Sequence, residues 1–152
     1  MPNEIRQKDI ASANFTMTLA SLLNGSSRQS TLVSNPSDYP AALIGIQITS
    51  GGTAPTAGTL YEVYLLRDIG TVVDDGAGAS DAPITIENAP LLGTIVVTAT
   101  INKAFYGVFD TVSLGPLGPT FGIAVKNSSG QALNATEANH VKEYMFYVPE
   151  IQ

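Results

Sequence analysis

The clearest alternation of apolar and polar residues in the chain is in TIVVTATI, residues 94–101. Apolar residues at positions 95, 97, 99 and 101 alternate with threonines at 94, 98 and 100, and Val96 alone breaks the rule. Successive side chains of a β-strand point to opposite faces of its sheet. The alternation therefore predicts a strand with one apolar face and one polar face.

The same two-residue period recurs along the chain, in residues 15–19, 30–34, 44–48, 61–65, 106–111, 121–125 and 144–148. Turn-forming Gly, Pro, Asn and Ser separate these segments. About eight short strands at this spacing predict an all-β fold of two antiparallel sheets packed face to face, a jelly-roll-like β-sandwich. The only helical expectation is one or two turns within residues 135–139.

A chain of 152 residues suits one domain. The predicted sandwich covers residues 13–152. Residues 1–12 are mixed polar and charged and are predicted to form an N-terminal arm. Residues 68–88 form a long acidic, Gly/Ala-rich loop, and connections of that length are usually functional or mobile.

Charge is sparse and acidic. Charged residues make up 13% of the chain, against about 25% in an average soluble domain. Such a surface is expected to be covered partly by copies of the chain, which favours an oligomer. The net charge is −6 and the seven basic residues are scattered, so nucleic acid is not an expected partner. A signal peptide and a membrane-spanning run are not apparent, so we expect synthesis in a cytosol without secretion by a signal peptide.

The catalytic residue types are few. The chain has no cysteine and a single histidine, His140, which is expected at the surface or in a loop. A hydrolytic triad would also need a serine nucleophile elbow, and the Gly-x-Ser-x-Gly motif does not occur. We therefore predict that the protein is not an enzyme, and no cofactor is expected.

The acidic loop supplies four carboxylates as weak candidates for a Ca²⁺ site: Asp68, Asp74, Asp75 and Asp81. Their spacing does not match an EF-hand, and the favoured interpretation is a solvated loop that like charges hold open. Carbohydrate binding is a second open alternative. It needs exposed aromatic side chains, and the candidates are Tyr39, Tyr61, Tyr106 and Tyr147.

The N-terminal arm combines polar residues with two isoleucines that need apolar cover. Arms of this kind lie across a neighbouring subunit or add a strand to its sheet edge. The alternative is a frayed terminus. The predicted assembly contacts are Glu4, Ile5, Arg6 and Ile10.

Several stretches resemble a type of small virion protein of tailed phages: YEVYLLRD at 61–68, DDGAGASD at 74–81, APLLG at 89–93, GPLGPTFGIAVKN at 115–127 and YVPEI at 147–151. The resemblance implies a capsid decoration, or cement, protein. It further implies a homotrimeric β-sandwich in the virion, bound to the major capsid protein on the outer head surface. A tail, baseplate or receptor-binding virion module is the alternative.

Overall fold

A computed structural model describes residues 5–151 of the chain and the side chains of residues 8–149. In chain order the strands are β1 (Ile5–Asp9), β2 (Ala13–Asn14), β3 (Ser27–Gln29), β4 (Val33–Ser34), β5 (Ala41–Thr49), β6 (Leu60–Asp68), β7 (Ala82–Pro83), β8 (Leu91–Val96), β9 (Ala104–Asp110), β10 (Thr120–Ser128) and β11 (Val141–Ile151). Three short 3-10 helices span Asp74–Gly76, Thr111–Leu114 and Glu137–Asn139. Within the described residues no helix is long and apolar enough to cross a membrane.

The strands form two antiparallel sheets. The first has the order β1-β11-β5-β9, with β2 also paired to β11, and the second has the order β7-β3-β10-β6-β8, with β4 also paired to β10. Because β1 and β2 lie on one side of β11, and β3 and β4 on one side of β10, each pair fills a single position in its sheet. Ten strands therefore fill eight positions, and the short β7 is the eleventh strand. The order of the eight positions within the two sheets is that of a jelly roll.

The predicted all-β sandwich is confirmed, although the described residues form eleven strands, because two of the eight positions are broken and the short β7 is added. Alternate residues of the long strands point between the sheets and form one core. An aromatic cluster lies at one end of that core. The Phe121 ring centroid is 5.8 Å from that of Phe15 and 5.6 Å from those of Tyr144 and Phe146.

The stretch with the clearest alternation is only partly a strand. β8 ends at Val96, although the pattern continues to residue 101. Val97 lies just beyond the last pair of the ladder with β6, its backbone exchanges hydrogen bonds with Gly58 and Thr59, and its side chain remains buried. Residues 15–19 behave similarly, since Phe15, Met17 and Leu19 are buried in alternation although the segment is not a strand. Alternation thus predicted the burial of side chains more accurately than it predicted the hydrogen-bonded pairing of strands.

The acidic loop is folded against the protein, so the expectation that like charges hold it open is wrong. It returns across the outer face of the second sheet, and Ala77 and Ala89 pack there against Leu66 of β6 and Ala124 of β10. Partly buried apolar side chains surround them: Leu32, Tyr64, Val73, Ile84 and Ile86. The loop therefore covers one of the two outer sheet faces.

Candidate functional site

Two of the acidic-loop carboxylates close the turn after β6. Asp74 Oδ2 accepts hydrogen bonds from both the backbone N–H and the side-chain Nε of Arg67, each at 3.1 Å. Asp68 accepts from the Thr120 hydroxyl and from the Gly70 N–H, both at 2.6 Å. The Thr120 hydrogen bond, followed by that of Gly70, lowers the pKa of Asp68 below its usual value. Both side chains hold the start of the loop to the sandwich.

Asp81 fastens the other side of the loop. Its carboxylate accepts from the Arg28 guanidinium and, at 3.0 and 2.6 Å, from the backbone N–H and hydroxyl of Thr18. Burial is the largest single influence and raises the pKa of Asp81. The hydrogen bonds and the Arg28 charge together outweigh burial, so the pKa is lowered.

Asp75 lies where the loop turns back. Its carboxylate accepts the backbone N–H groups of Glu87, Asn88 and Ala89 at 3.1, 2.6 and 2.8 Å. Burial, the largest influence, raises the pKa of Asp75, but the three N–H groups outweigh it and the pKa is lowered. The side chain takes this position from a left-handed backbone, with φ 54°.

Replacing Asp75 by alanine is expected to lower the free energy of unfolding by about 1–2 kcal/mol more than replacing Asp38, because three N–H groups lose a charged acceptor. Asp38 is a matched control because its backbone is also left-handed, with φ 50°, so alanine at either position carries the same backbone strain. Urea unfolding gives the energies, and amide hydrogen exchange should quicken at residues 87–89. Equal losses in the two variants would contradict this role of Asp75.

The four candidate metal ligands are not brought together. Each carboxylate is engaged by donors from a different part of the chain, as given above. Across the part of the chain with described side chains, no group of three or more His, Asp or Glu residues is placed to hold a metal ion. The geometry assigns these aspartates to loop attachment.

His140 lies in the connection between the last 3-10 helix and β11, so the predicted surface or loop location holds for the loop, but the side chain is buried and not at the surface. The side chain of residue 140 is 5% exposed at the end of the last 3-10 helix. Its Nδ1 accepts the Thr49 backbone N–H at 3.3 Å, and Nε2 lies 3.1 Å from the Asn134 carbonyl oxygen. These two contacts assign the ring proton to Nε2. Burial lowers the pKa of His140, whereas the Asn134 hydrogen bond and the Glu137 charge raise it less strongly.

The lowered pKa of His140 predicts a loss of stability at mildly acidic pH. The unfolded imidazole has a pKa of about 6.5. Because the folded pKa is lower, the unfolded chain binds the proton more readily than the folded chain. The contribution of neutral His140 to the free energy of unfolding is therefore complete above about pH 6.5 and decreases as the pH falls toward the pKa of the folded state. The expected slope approaches at most about 1.4 kcal/mol per pH unit.

Urea unfolding between pH 8 and pH 5 measures this slope, and His140→Gln should flatten it. The lowered pKa values of Asp68, Asp75 and Asp81 add their own loss only below about pH 4. A variant that keeps the wild-type slope between pH 7 and pH 5 would assign the titration to another group.

Glu137 and Lys142 form an ion pair beside His140. The Lys142 ammonium contacts Glu137 Oε1, and the Lys142 side chain is 8% exposed. Glu137 Oε2 accepts the backbone N–H groups of Leu19 and Ala20, both at 2.8 Å. The pair therefore ties the segment before β3 to the start of β11. Sequence reasoning missed it because Glu137 and Lys142 form no recognised motif, and the N–H groups that Glu137 accepts belong to the distant residues Leu19 and Ala20.

The depressions beside His140 and beside the acidic loop carry different titratable side chains. A depression of about 310 Å³ borders His140, and its lining contains neither a hydroxyl nor a thiol. A second, of about 610 Å³, lies beside the acidic loop and is lined by Asp75 and Glu87 among others. Because both ring nitrogens of His140 are engaged, the first depression also lacks a free general base.

The four candidate sugar-binding tyrosines do not form a platform. Tyr61 is fully buried, and Tyr39 packs on Phe146 with ring centroids 4.9 Å apart. The Tyr147 hydroxyl donates a hydrogen bond to Asp110 at 2.6 Å. Burial, followed by this hydrogen bond, raises the pKa of Tyr147 to about 12. Tyr106 remains, with 70% of its surface exposed.

Among residues 5–151, no loop covers the outer face of the first sheet, unlike that of the second. Outward positions of β9 carry Tyr106 and Val108, which are 70% and 73% exposed. The neighbouring outward positions of β5 and β11 are Leu43, Gly45, Gln47, Val141, Glu143, Met145 and Tyr147. On these three strands Asp110 and Glu143 supply the charges of that face. We call it the bare face.

The predicted arm begins as an edge strand of the first sheet. Ile5 and Arg6 lie in β1, opposite Ile151 and Glu150 of β11, and Ile10 packs against the core. Glu4 lies outside the described residues. Since β5 pairs only with residues 141–147 of β11, the two chain ends extend past it as a two-stranded ribbon. Contact of this ribbon with a neighbouring subunit stays a prediction.

The fold thus defines the chain as a jelly-roll β-sandwich, with one outer face covered by its own loop and the other left bare. A scan of protein-family models found no match, and a search of curated proteins found no similar sequence.

Proposed function

We propose that this chain is a structural protein of a phage virion, a homotrimeric decoration protein that binds the major capsid protein on the outer head surface. The observation that carries the proposal is the bare face, which is apolar, poor in charge and left open on a sandwich whose other outer face is covered. Contiguous exposed apolar surface of this kind marks contact with another protein. Jelly rolls recur in viral capsid proteins, which supports the proposal by analogy of fold.

A decoration protein strengthens a head mechanically. Packed DNA pushes outward on the shell, and a rigid part that bridges neighbouring capsomers resists their separation. Several linked copies bind the shell with a high effective concentration, so weak individual contacts give strong attachment. The role requires a stiff sandwich and adhesive surfaces, and it requires no active site. The internal engagement of His140 and of the loop aspartates is compatible with such a role.

Electron microscopy of particles that carry this protein tests the location. Gold-labelled antibody against the chain should mark the head at regularly spaced protrusions. Particles made without the protein should release their DNA at a lower temperature, and adding the purified protein should restore the wild-type temperature. Label confined to the tail, or purified virions that lack the chain, would overturn the proposal.

Removing residues 1–12 should weaken attachment to the head and leave the sandwich folded. β11 keeps its pairing with β5 at residues 141–147, so the loss of β1 leaves the sheet intact there. The measurements are the number of copies per particle and a circular-dichroism spectrum of the free protein. Unchanged occupancy would show that the ribbon does not contact the shell.

A tail or receptor-binding module is the second candidate, because jelly rolls also occur in lectins and Tyr106 is an exposed aromatic. Aromatic side chains present both an apolar ring and a polar tip to a ligand. A glycan array would show selective binding that Tyr106→Ala abolishes. Label on the tail would favour this candidate over head decoration.

A further inference from the structure

β9 forms an open edge of the first sheet. Its one neighbour in that sheet is β5. The Ser50 N–H donates to the Lys103 carbonyl at 2.9 Å, and residues 50 and 103 continue the register of these two strands. Antiparallel ladders alternate between bonded and non-bonded pairs. The N–H and C=O groups of Tyr106 and Val108 therefore point away from β5.

Those backbone groups have no partner among the described residues. Among the described strands β9 pairs with β5 alone, and no backbone hydrogen bond outside the ladders involves Tyr106 or Val108. β8 lies nearby, but it belongs to the other sheet and meets β9 through the Phe109 ring, which packs against Gly93. The edge is therefore free to accept another strand.

β9 also lacks the features that usually protect an edge strand. Natural edges carry lysine, proline or a bulge that prevents further pairing. β9 has the sequence AFYGVFD, with neither lysine nor proline, and its register with β5 is unbroken. The exposed end of β11, by contrast, carries Pro149, which cannot donate to a ladder. An unprotected edge beside the bare face indicates a strand-pairing interface.

We propose that β9 pairs antiparallel with β9 of a second copy of this chain, around a two-fold axis at Gly107. In that register Tyr106 of each copy lies opposite Val108 of the other. Both residues direct their N–H and C=O groups at the partner, so they exchange two hydrogen bonds at each pair. Aromatic and β-branched side chains directly opposite each other are a favourable cross-strand pair.

Charge supports a second copy as the partner. Lys103 precedes β9 and Asp110 ends it, so the strand segment is basic at one end and acidic at the other. Antiparallel self-pairing places Asp110 of one copy opposite Ala104 of the other, next in sequence to Lys103, whose ammonium lies on the other face of the sheet near Thr98 and Phe105. A parallel arrangement would place like charges together. The same strand on a second copy therefore matches this edge in hydrogen bonding, shape and charge.

The pairing joins the two first sheets into one and extends the bare face across both copies. It goes beyond the proposed function, because it holds whether the protein sits on a head or on a tail. With a trimer built through other surfaces, this contact closes into a hexamer only where its two-fold axis crosses the three-fold axis at a right angle.

Two single-cysteine variants test the register. The chain has no native cysteine, so Tyr106→Cys and Val108→Cys each introduce the sole thiol. Directly opposite Cβ atoms are about 4.5–5.5 Å apart, whereas diagonal ones are about 7–8 Å apart. Under mild oxidation the 1:1 mixture should therefore form a disulfide-linked pair faster than either variant alone. Ile69→Cys mixed with Val72→Cys is the control, since these residues are 75% and 63% exposed elsewhere.

A charge variant tests whether the contact holds copies together. The double variant Tyr106→Lys with Val108→Lys places two lysines opposite each other at both cross-strand pairs of the proposed contact. This repulsion should weaken association at least about tenfold. Ile69→Lys with Val72→Lys adds the same charge at similarly exposed positions and should leave association unchanged. Sedimentation of the free protein measures both.

The proposal is overturned if the cysteine mixture links no faster than its components, or if the two lysine variants associate equally well. Both tests use the free protein, so their outcome is separate from the location of the chain in a particle. If the cysteine mixture forms the cross-link and the antibody marks the tail, the β9 pairing is supported and the decoration proposal is wrong.

Discussion

Phe121→Ala is expected to lower the free energy of unfolding by about 3–5 kcal/mol, the range for removing a large buried aromatic ring. Phe121 is fully buried in β10 and stands edge-on to the rings of Phe15, Tyr144 and Phe146. Tyr144 and Phe146 belong to the first sheet, and Phe121 belongs to the second. Removing this ring therefore opens a cavity where the two sheets are joined, and neighbouring rings cannot fill it without leaving their rotamers.

Urea unfolding followed by circular dichroism measures the loss. Val112→Ala is the control, because Val112 is 58% exposed and its truncation should change stability by no more than about 0.5 kcal/mol. Phe121→Leu keeps part of the volume and should fall between the two. A loss below about 1.5 kcal/mol for Phe121→Ala would mean that this end of the core is loosely packed.

Glu137→Ala is expected to cost about 2–3 kcal/mol. Breaking a fully buried ion pair costs about 3–5 kcal/mol, and we expect less here because the Glu137 side chain is 38% exposed. The change leaves the Lys142 ammonium buried without its carboxylate. It also removes the acceptor of the Leu19 and Ala20 N–H groups.

A double-mutant cycle separates these two effects. Lys142→Met removes the buried charge and keeps the apolar stem, so Glu137→Ala with Lys142→Met should cost less than the sum of the single changes. The remaining cost of the double variant reports the two lost N–H bonds. Strict additivity would show that the ion pair contributes no coupling energy.

The periodicity of the sequence was sufficient for the fold class because the pleat of a strand imposes it locally. In β5, Ile44, Ile46 and Ile48 alternate in the sequence and are buried in the structure. β10 and β11 follow the same rule, and the predicted turn at residues 135–139 contains the 3-10 helix Glu137–Asn139. Pairing was predicted less well. Residues 97–101 alternate as clearly as any strand, yet the ladder with β6 ends at Val96.

The acidic loop and His140 were misjudged for a common reason. Four aspartates close together in sequence suggest repulsion, but each is held by hydrogen-bond donors, and two of them have distant donors: Arg28 for Asp81 and Thr120 for Asp68. His140 has no neighbour in sequence that predicts burial, and its partners Thr49 and Asn134 come from other segments. Long-range partners of this kind leave no local pattern.

Local alternation, turn chemistry and low charge were therefore enough to specify two stacked antiparallel sheets, since each is a property of neighbouring residues. The closure of the loop over one sheet, the burial of the histidine and the ion pair beside it, and the opening of the β9 edge all required the folded chain. They depend on contacts between residues far apart in sequence, and such contacts are set when the whole core is packed.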